Sequence, residues 1–555
     1  MHLLIAFPLL IGAGIAPASP AQPIETVSQD RAIEAELAAI LADAYDADGP
    51  GAAVIVTRGG KTLFHDARGM ADIGTGRTML PTERYNLASI TKTITAAAVA
   101  KLAEEGVLSL DDPISNYVSG FSEPASSATL RQLLNHTSGL TDITKRPGWI
   151  AENLDRDFSN AELVALLAAL PAKAAPGEEW EYNNSAYMLL GPIIEQATGQ
   201  PWERSVERLV ARPLGLDSFV TPGATMTGYD GPGADAVPFP PFVDKGIAGA
   251  AGTMTGTVAD LATFVNALHH GRILGPDMYA QAIALPVLAD GSEARYGFGF
   301  RVGQLFGEPT YFQGGAMRGT RTEALYVPEG DVFVGILANS DAPRSAVRPL
   351  AERLAAAALG QSFPRFIEQP LDTAKAMPMV GTYEVRGRRV QFLHRDDRFW
   401  FAGEGASARP VTYFGERRFF FEKERGDWFE FVWGPDGDPM LRFHDTAERE
   451  PIEARRVGGV EETRVAIDPA RLAAYAGSYR TETDVTVHIE LDDDGRLRMR
   501  QGEREQTAPL RALDEDRFAI DGTPMTLQFM SHAGRVTGFS MTRGARTLEA
   551  QRIER

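Results

Sequence analysis

Beyond about residue 376 the chain repeats itself. Gly381-Thr382-Tyr383 recurs as Gly477-Ser478-Tyr479, and Ile452-Glu453-Ala454-Arg455-Arg456-Val457 recurs as Leu548-Glu549-Ala550-Gln551-Arg552-Ile553. Both recurrences have a period of roughly a hundred residues. The sequence between them alternates strand-like and aromatic stretches, such as Arg398-Phe399-Trp400-Phe401 and Arg418-Phe419-Phe420-Phe421, with few helical signals. Two copies of one small β unit follow, read as meanders closed into antiparallel barrels over 377–460 and 465–555. Just upstream, 361–376 carries Pro364 and Pro370 without periodicity, which marks a linker.

The whole chain has 555 residues, too many for one core. Residues 22–360 read as a separate unit. A polar helix from about Thr26 to Asp46 precedes strands Ala52–Val56 and Thr62–Phe64, which flank the hairpin signal Arg58-Gly59-Gly60-Lys61. The middle, from Ser89 to about His269, has helical periodicity with Gly/Pro breaks. Short strands follow at Tyr296–Val302, Tyr311–Phe312, Thr320–Val327 and Val332–Leu337, then an Ala-rich helix Pro349–Leu359. Strands at both ends enclosing helices predict an α/β unit: one antiparallel sheet completed by both ends, with helices on its sides and a helical lobe.

Residues 1–21 read as a signal peptide, with an apolar run Leu3–Ile15 before Ser19-Pro20-Ala21, although the n-region lacks Lys and Arg. A buried helix or an uncleaved anchor are the alternatives. No later stretch has the roughly 18 apolar residues of a membrane span, so an exported, periplasmic or secreted protein is expected. The net charge of −19 and the lack of a basic patch argue against nucleic acid as partner. There is no cysteine, which removes thiol nucleophiles, disulfides and cysteine-based zinc sites. No H-E-x-x-H occurs, and His269-His270 before Gly271 reads as a helix end, so no metal site is expected.

Ser89-Ile90-Thr91-Lys92 carries the chemistry. On a helix, positions i and i+3 share a face, so Lys92 can reach the Ser89 hydroxyl and activate it. Orphan N–H groups at the helix start favour an oxyanion beside the serine. The alternative is that Ser89 is only an N-cap and Lys92 a solvated first-turn residue. Tyr182-Asn183-Asn184 opens a second helical run, Ala186–Ala197. Tyr182 there can act as general base and Asn184 can offer both donor and acceptor to a substrate amide, or the pair is a core tyrosine with a capping asparagine.

With these residues in this order, the chain resembles the penicillin-recognising serine hydrolases: class C β-lactamases, D,D-peptidases, family VIII esterases and D-aminopeptidases. Their S-x-x-K corresponds to Ser89–Lys92 and their Y-x-N to Tyr182–Asn184. Similar phrases are Leu110-Asp111-Asp112-Pro113-Ile114, Leu133-Leu134-Asn135-His136-Thr137-Ser138-Gly139-Leu140, Ala186-Tyr187-Met188-Leu189-Leu190-Gly191 and Pro213-Leu214-Gly215-Leu216. The resemblance spans about 48–340 and implies an acyl-enzyme mechanism without cofactor. Ser89 is then the nucleophile, and Lys92 and Tyr182 carry the proton. The N–H groups of Ser89 and Ala316 form the oxyanion hole, Gly315 lies beside them, and Asn184 and Gln313 orient a small peptide, amide or ester substrate. Where the family has K-T-G or H-x-G, this chain has Gln313-Gly314-Gly315, so the cation expected to hold a substrate carboxylate is missing at that position.

A catalytic unit followed by two barrels resembles the architecture of bacterial D-aminopeptidases. In these a loop of the last barrel reads the substrate amine; here the matching stretch near Asp521-Gly522-Thr523-Pro524 is short. The resemblance therefore points first to a D-aminopeptidase-like peptidase. A carboxylesterase, a D,D-carboxypeptidase or weak β-lactamase, and a non-catalytic sensor on the same fold are the alternatives. Oligomeric state stays open.

Overall fold

Two glycines in the left-handed region, Gly59 (φ 58°) and Gly60 (φ 71°), make the tight turn between β1 (Ala52–Arg58) and β2 (Lys61–Arg68) in the computed structural model. The structure describes 24–553 apart from 147, 154–155, 157, 222, 240–247, 342–345, 362–366, 396–397, 404–407, 422–427, 435, 445–449, 461–466, 483–484, 493–494, 503–506, 521–522, 524, 533–534 and 544–545. The leader read at 1–21, part of the linker, and 521, 522 and 524 of the barrel loop lie outside the described residues.

Four more strands complete the sheet: β3 (Arg301–Leu305), β4 (Glu308–Met317), β5 (Thr320–Val327) and β6 (Val332–Ala338), in the order β2-β1-β6-β5-β4-β3. Pairing of β1 with β6, Ala52 opposite Ala338 through Arg58 opposite Val332, joins the two ends of the unit as the strand–helix–strand order predicts. One face is covered by α1 (Ile24–Ala44) and α5 (Val347–Ala358), with Leu37, Leu41, Leu350 and Leu354 in that core. The other carries the helical lobe, including α2 (Thr91–Glu104), α3 (Asn184–Thr198) and α4 (Val258–His269). α2 is buried nearly all round, which its Ala-rich sequence permits because small side chains let neighbours approach on every side.

Two expected elements differ. The strand read at Tyr296–Val302 begins only at Arg301, because Gly297 N–H bonds back to Phe300 O (2.9 Å) and Gly299 takes φ 83°, closing a turn. Alternating aromatic and glycine residues imitate a strand pattern there. Tyr311–Phe312 is instead the middle of the ten-residue β4, whose glycines mask its strand character.

In the C-terminal region, eight strands from Gly477–Thr481 to Arg546–Arg552 close into a barrel. The preceding nine-stranded sheet has Arg409–Pro410 and Thr412–Tyr413 as its two edges, with only Val411 between them in the chain. It is thus the same barrel with its fourth strand broken at one residue. The repeated residues do matching work. Tyr383 Oη donates to Met379 O (2.5 Å) and Tyr479 Oη to Tyr475 O (2.6 Å). Arg456 Nη2 donates to Val380 O (2.8 Å) and Arg552 Nη2 to Ala476 O (2.6 Å). A Cβ at Gly381 would sit 2.7 Å from Arg456 Nε, and one at Gly477 2.9 Å from Arg552 Nη2, so each glycine is the gap its arginine passes through.

Candidate active site

Ser89 lies in a 3-10 turn, Ala88–Ile90, that runs straight into α2. The α-helix is capped by Ile90 without a side-chain bond, so Ser89 is not its cap. Its Oγ is instead 3.1 Å from Lys92 Nζ, and Lys92, with 0% of its surface exposed, also donates to Ala251 O (2.8 Å). Thr91 and Thr95, one turn apart, fasten the same face of α2 to the segment 249–254: Met254 N–H donates to Thr91 Oγ1 (3.2 Å) and Thr95 Oγ1 donates to Ala250 O (2.8 Å). The polar run Thr91-Lys92-Thr93-Ile94-Thr95 is therefore a buried seam.

The residue before Ser89 is strained. Ala88 has φ 48° and is fully buried, held by its N–H to Asn86 Oδ1 (2.7 Å). β4 approaches this turn closely enough that a Cβ at Gly315 would fall 2.7 Å from Leu87 O and 2.8 Å from Ala88 Cβ. Ala316 sits opposite Arg321, one residue from a two-residue turn, a position that aims its N–H away from β5. Gly315 thus lies against the serine turn, and Ala316 follows it in β4.

Tyr182 precedes α3. Its ring centroid is 5.1 Å from Lys92 Nζ, and its backbone carbonyl accepts from Lys145 Nζ (2.9 Å). Two asparagines that look alike in sequence divide the next tasks. Asn183 is the N-cap, its Oδ1 accepting from Ala186 N–H (3.0 Å). Asn184 is not the cap; its Nδ2 donates to Thr144 Oγ1 (2.8 Å) and Asp142 Oδ2 (3.3 Å). The expectation that Asn184 offers both donor and acceptor is corrected: its amide nitrogen is engaged within the protein, which leaves only Oδ1, an acceptor.

Gln313 is also corrected. It is 3% exposed and its amide is used internally: Nε2 donates to Gly314 O (2.8 Å) and, over a long 3.4 Å, to Tyr182 Oη, while Oε1 accepts from Tyr296 Oη (3.1 Å). It therefore supports the tyrosine rather than facing a substrate. A cation that sequence reasoning missed stands on the adjacent strand. Arg301 opens β3 opposite Phe312, and its guanidinium lies 5.2 Å from the Tyr182 ring centroid, 5.6 Å from Trp180 and 5.9 Å from Tyr296. Ring faces hold the guanidinium and leave its in-plane N–H groups for an anion. The one available signal was an arginine directly after the Tyr296–Phe300 turn.

Buried phenols around the site stay protonated. Burial raises Tyr187 and Tyr296 well above the usual tyrosine range. His136 is pushed the other way, well below the usual histidine range, by burial and by the charges of Lys92, Arg301 and Lys145. The two histidines read as a helix end lie at the end of α4: His269 stacks on Tyr326 and meets Tyr279 Oη (2.8 Å), whereas His270 pairs with Asp331 (3.1 Å). A cleft of about 550 Å³ beside the β1–β2 turn, lined by His65, Asn266, His270 and Arg272, belongs to the Arg58–Val332 end of the sheet and contains none of the site residues.

Fold and site together define a serine hydrolase. The chain belongs to the beta-lactamase family, whose model matches residues 30–359. It is similar to esterase EstB of Burkholderia gladioli, at 38% identity over 213 residues, covering 36% of this chain and 53% of the esterase. It is also similar to a D-aminopeptidase of Gluconobacter oxydans, at 25% identity over 461 residues, 80% of this chain and 82% of that one. A D-aminopeptidase of Brucella anthropi is 29% identical over 286 residues, 50% of this chain and 53% of that enzyme, so the chain spans about half of the length of two of these three relatives. Among solved structures, the octameric penicillin-binding protein homologue from Pyrococcus abyssi shares the fold at a TM-score of 0.54 and 22% identity, over 77% of this chain and 99% of that chain. D-amino acid amidase from Ochrobactrum anthropi SV3, complexed with D-phenylalanine, does so at a TM-score of 0.51 and 22% identity, over 60% of this chain and 99% of that chain.

Proposed function

We propose that this hydrolase cleaves amide bonds of small amine-terminated substrates, in the manner of a D-aminopeptidase, through an ester formed on Ser89. The observation that carries the mechanism is the 3.1 Å contact between Ser89 Oγ and the fully buried Lys92 Nζ. Ser89 attacks the carbonyl carbon, and its proton moves by Lys92 and Tyr182 to the leaving nitrogen. The oxyanion is held by the N–H groups of Ser89 and Ala316, and water then releases the acyl group. Asn184 Oδ1 supports the choice of substrate, since with its amide nitrogen engaged it accepts an N–H and offers nothing to a carbonyl. The similarity to a D-aminopeptidase over 80% of the chain, more than the hydrolase unit alone can account for, points the same way.

Arg301 favours a second reading, a carboxypeptidase-type hydrolase that holds an anionic leaving group. A panel of D- and L-amino acid p-nitroanilides, p-nitrophenyl esters, D-Ala-D-Ala-terminated peptides and nitrocefin tests both. The first reading expects D-anilides to lead. Turnover that needs a free C-terminal carboxylate supports the second, and exclusive ester turnover contradicts both.

A further inference from the structure

We propose that His136 is a positioning residue for the reaction at Ser89, clamping the backbone on both sides of Tyr182 so that the phenol and Asn184 face the nucleophile together. The inference rests on the acyl-enzyme reading above. His136 O accepts from Glu181 N–H (3.0 Å), and His136 Nδ1 accepts from Asn183 N–H (3.2 Å), so one residue grips the chain immediately before and after the tyrosine. To do both it adopts φ 64°, a backbone region costly for a residue with a Cβ, and it is 1% exposed.

The rest of this turn runs along the same segment. Thr137 O accepts from Gly177 N–H (2.8 Å) and Gly139 O from Lys173 N–H (2.9 Å). Asn183 Nδ2 donates to Leu140 O (2.5 Å).

An imidazole is specified here, where a plain aromatic ring would pack. Because Nδ1 accepts, the ring proton is on Nε2, and Nε2 has no hydrogen-bond partner among the described residues. The ring centroid lies 4.5 Å from that of Tyr182 and 4.5 Å from that of Tyr296. Packing alone gives no reason to bury an unpaired N–H on a strained backbone; holding Asn183 does. Neutrality matters as well, since a proton on Nδ1 would break the Asn183 bond and set a third charge near Lys92 and Arg301.

The test compares His136→Asn with His136→Gly in the full chain, each with Tyr182 and with Tyr182→Phe. Both replacements tolerate a positive φ and both remove the ring; only Asn restores an acceptor near the Nδ1 position. With Tyr182 present, Asn should keep acylation by p-nitrophenyl butyrate within about tenfold of the parent, and Gly should lower kcat by about a hundredfold with KM moved less than about threefold. With Tyr182→Phe the two should coincide. Equal rates for Asn and Gly beside Tyr182, or an unchanged ratio in the Tyr182→Phe background, would overturn the proposal. Should the His136→Gly protein not fold, histidine-selective nitrogen-15 spectra of the parent decide: a neutral Nε2–H tautomer is expected from about pH 5 to 8, and a protonated or Nδ1–H ring overturns the role. A fully active Tyr182→Phe protein would instead remove the tyrosine's part in the acyl-enzyme reading, on which the inference stands.

Discussion

Lys92 is buried without a carboxylate at hydrogen-bond distance among its described contacts, and its amine meets the Ser89 hydroxyl, the Ala251 carbonyl and the face of Tyr182. Burying an amine without a carboxylate partner is costly for a purely structural lysine, and here it sets the amine against the Ser89 hydroxyl. Lys92→Ala and Tyr182→Phe should each lower acylation by about two to four orders of magnitude, and the double replacement should cost far less than the product of the two. Pre-steady-state acylation rates check this; multiplicative losses would mean independent roles. Arg301→Gln should raise KM about tenfold or more for substrates ending in a carboxylate and leave neutral esters within about twofold. Equal effects on both would assign Arg301 to packing.

Glu323, on the other face of the sheet, gives a pH prediction. Burial pushes its carboxyl up to about 7, against the opposing pull of Arg348 at 3.4 Å. The folded state then binds a proton that the unfolded state has lost, so stability falls as pH rises from the ordinary carboxylate range through about 7. Glu323→Gln should remove roughly 3 kcal/mol of this loss above about pH 8 and be close to neutral near pH 4, as read by denaturant titration at both pH values. The contact between Ser89 and Lys92 was legible in the sequence because the two stand three residues apart, whereas Tyr182, distant in the chain, was singled out only by the Y-x-N pattern. Arg301 and the internal use of Gln313 were not, because both depend on which strands become neighbours.

At the scale of elements, the site is a strained turn pressed against one strand. Ala88 is held at φ 48° while β4 passes beside it, and Gly315 supplies the clearance. Gly315→Ala should push β4 from Leu87 and Ala88, lowering kcat by about ten- to a hundredfold through a displaced Ala316 N–H while the fold survives. Unchanged kcat in a folded Gly315→Ala protein would place the oxyanion hole elsewhere. The sheet ends, the β1–β2 turn and the flanking helices were legible from periodicity and glycine pairs. Of β4 only Tyr311–Phe312 was legible, because Gly314 and Gly315 lack the branched side chains that mark a strand, and those same glycines let it approach the serine.

Over the whole molecule, the repeat proved readable down to single residues: Gly381 with Arg456 and Gly477 with Arg552 form the same passage in the two barrels. The break at Val411, which divides one strand of the first barrel, has no sequence counterpart that reveals it beyond Pro410, whose missing N–H cannot serve a continuous ladder. Ser89, Lys92, Tyr182 and β4 beside them all come from the unit that precedes the barrels. A chain ending at Gly360 is therefore expected to acylate, with altered substrate preference; loss of acylation in a folded 1–360 chain would mean that the barrels complete the site. Acyl transfer as proposed for this hydrolase requires a covalent bond to one oxygen, Ser89 Oγ. Intact-mass and peptide mass spectrometry of the full chain after treatment with a fluorophosphonate should show one adduct, on Ser89, absent from Ser89→Ala; an adduct on another residue, or turnover undiminished in a folded Ser89→Ala protein, would contradict it.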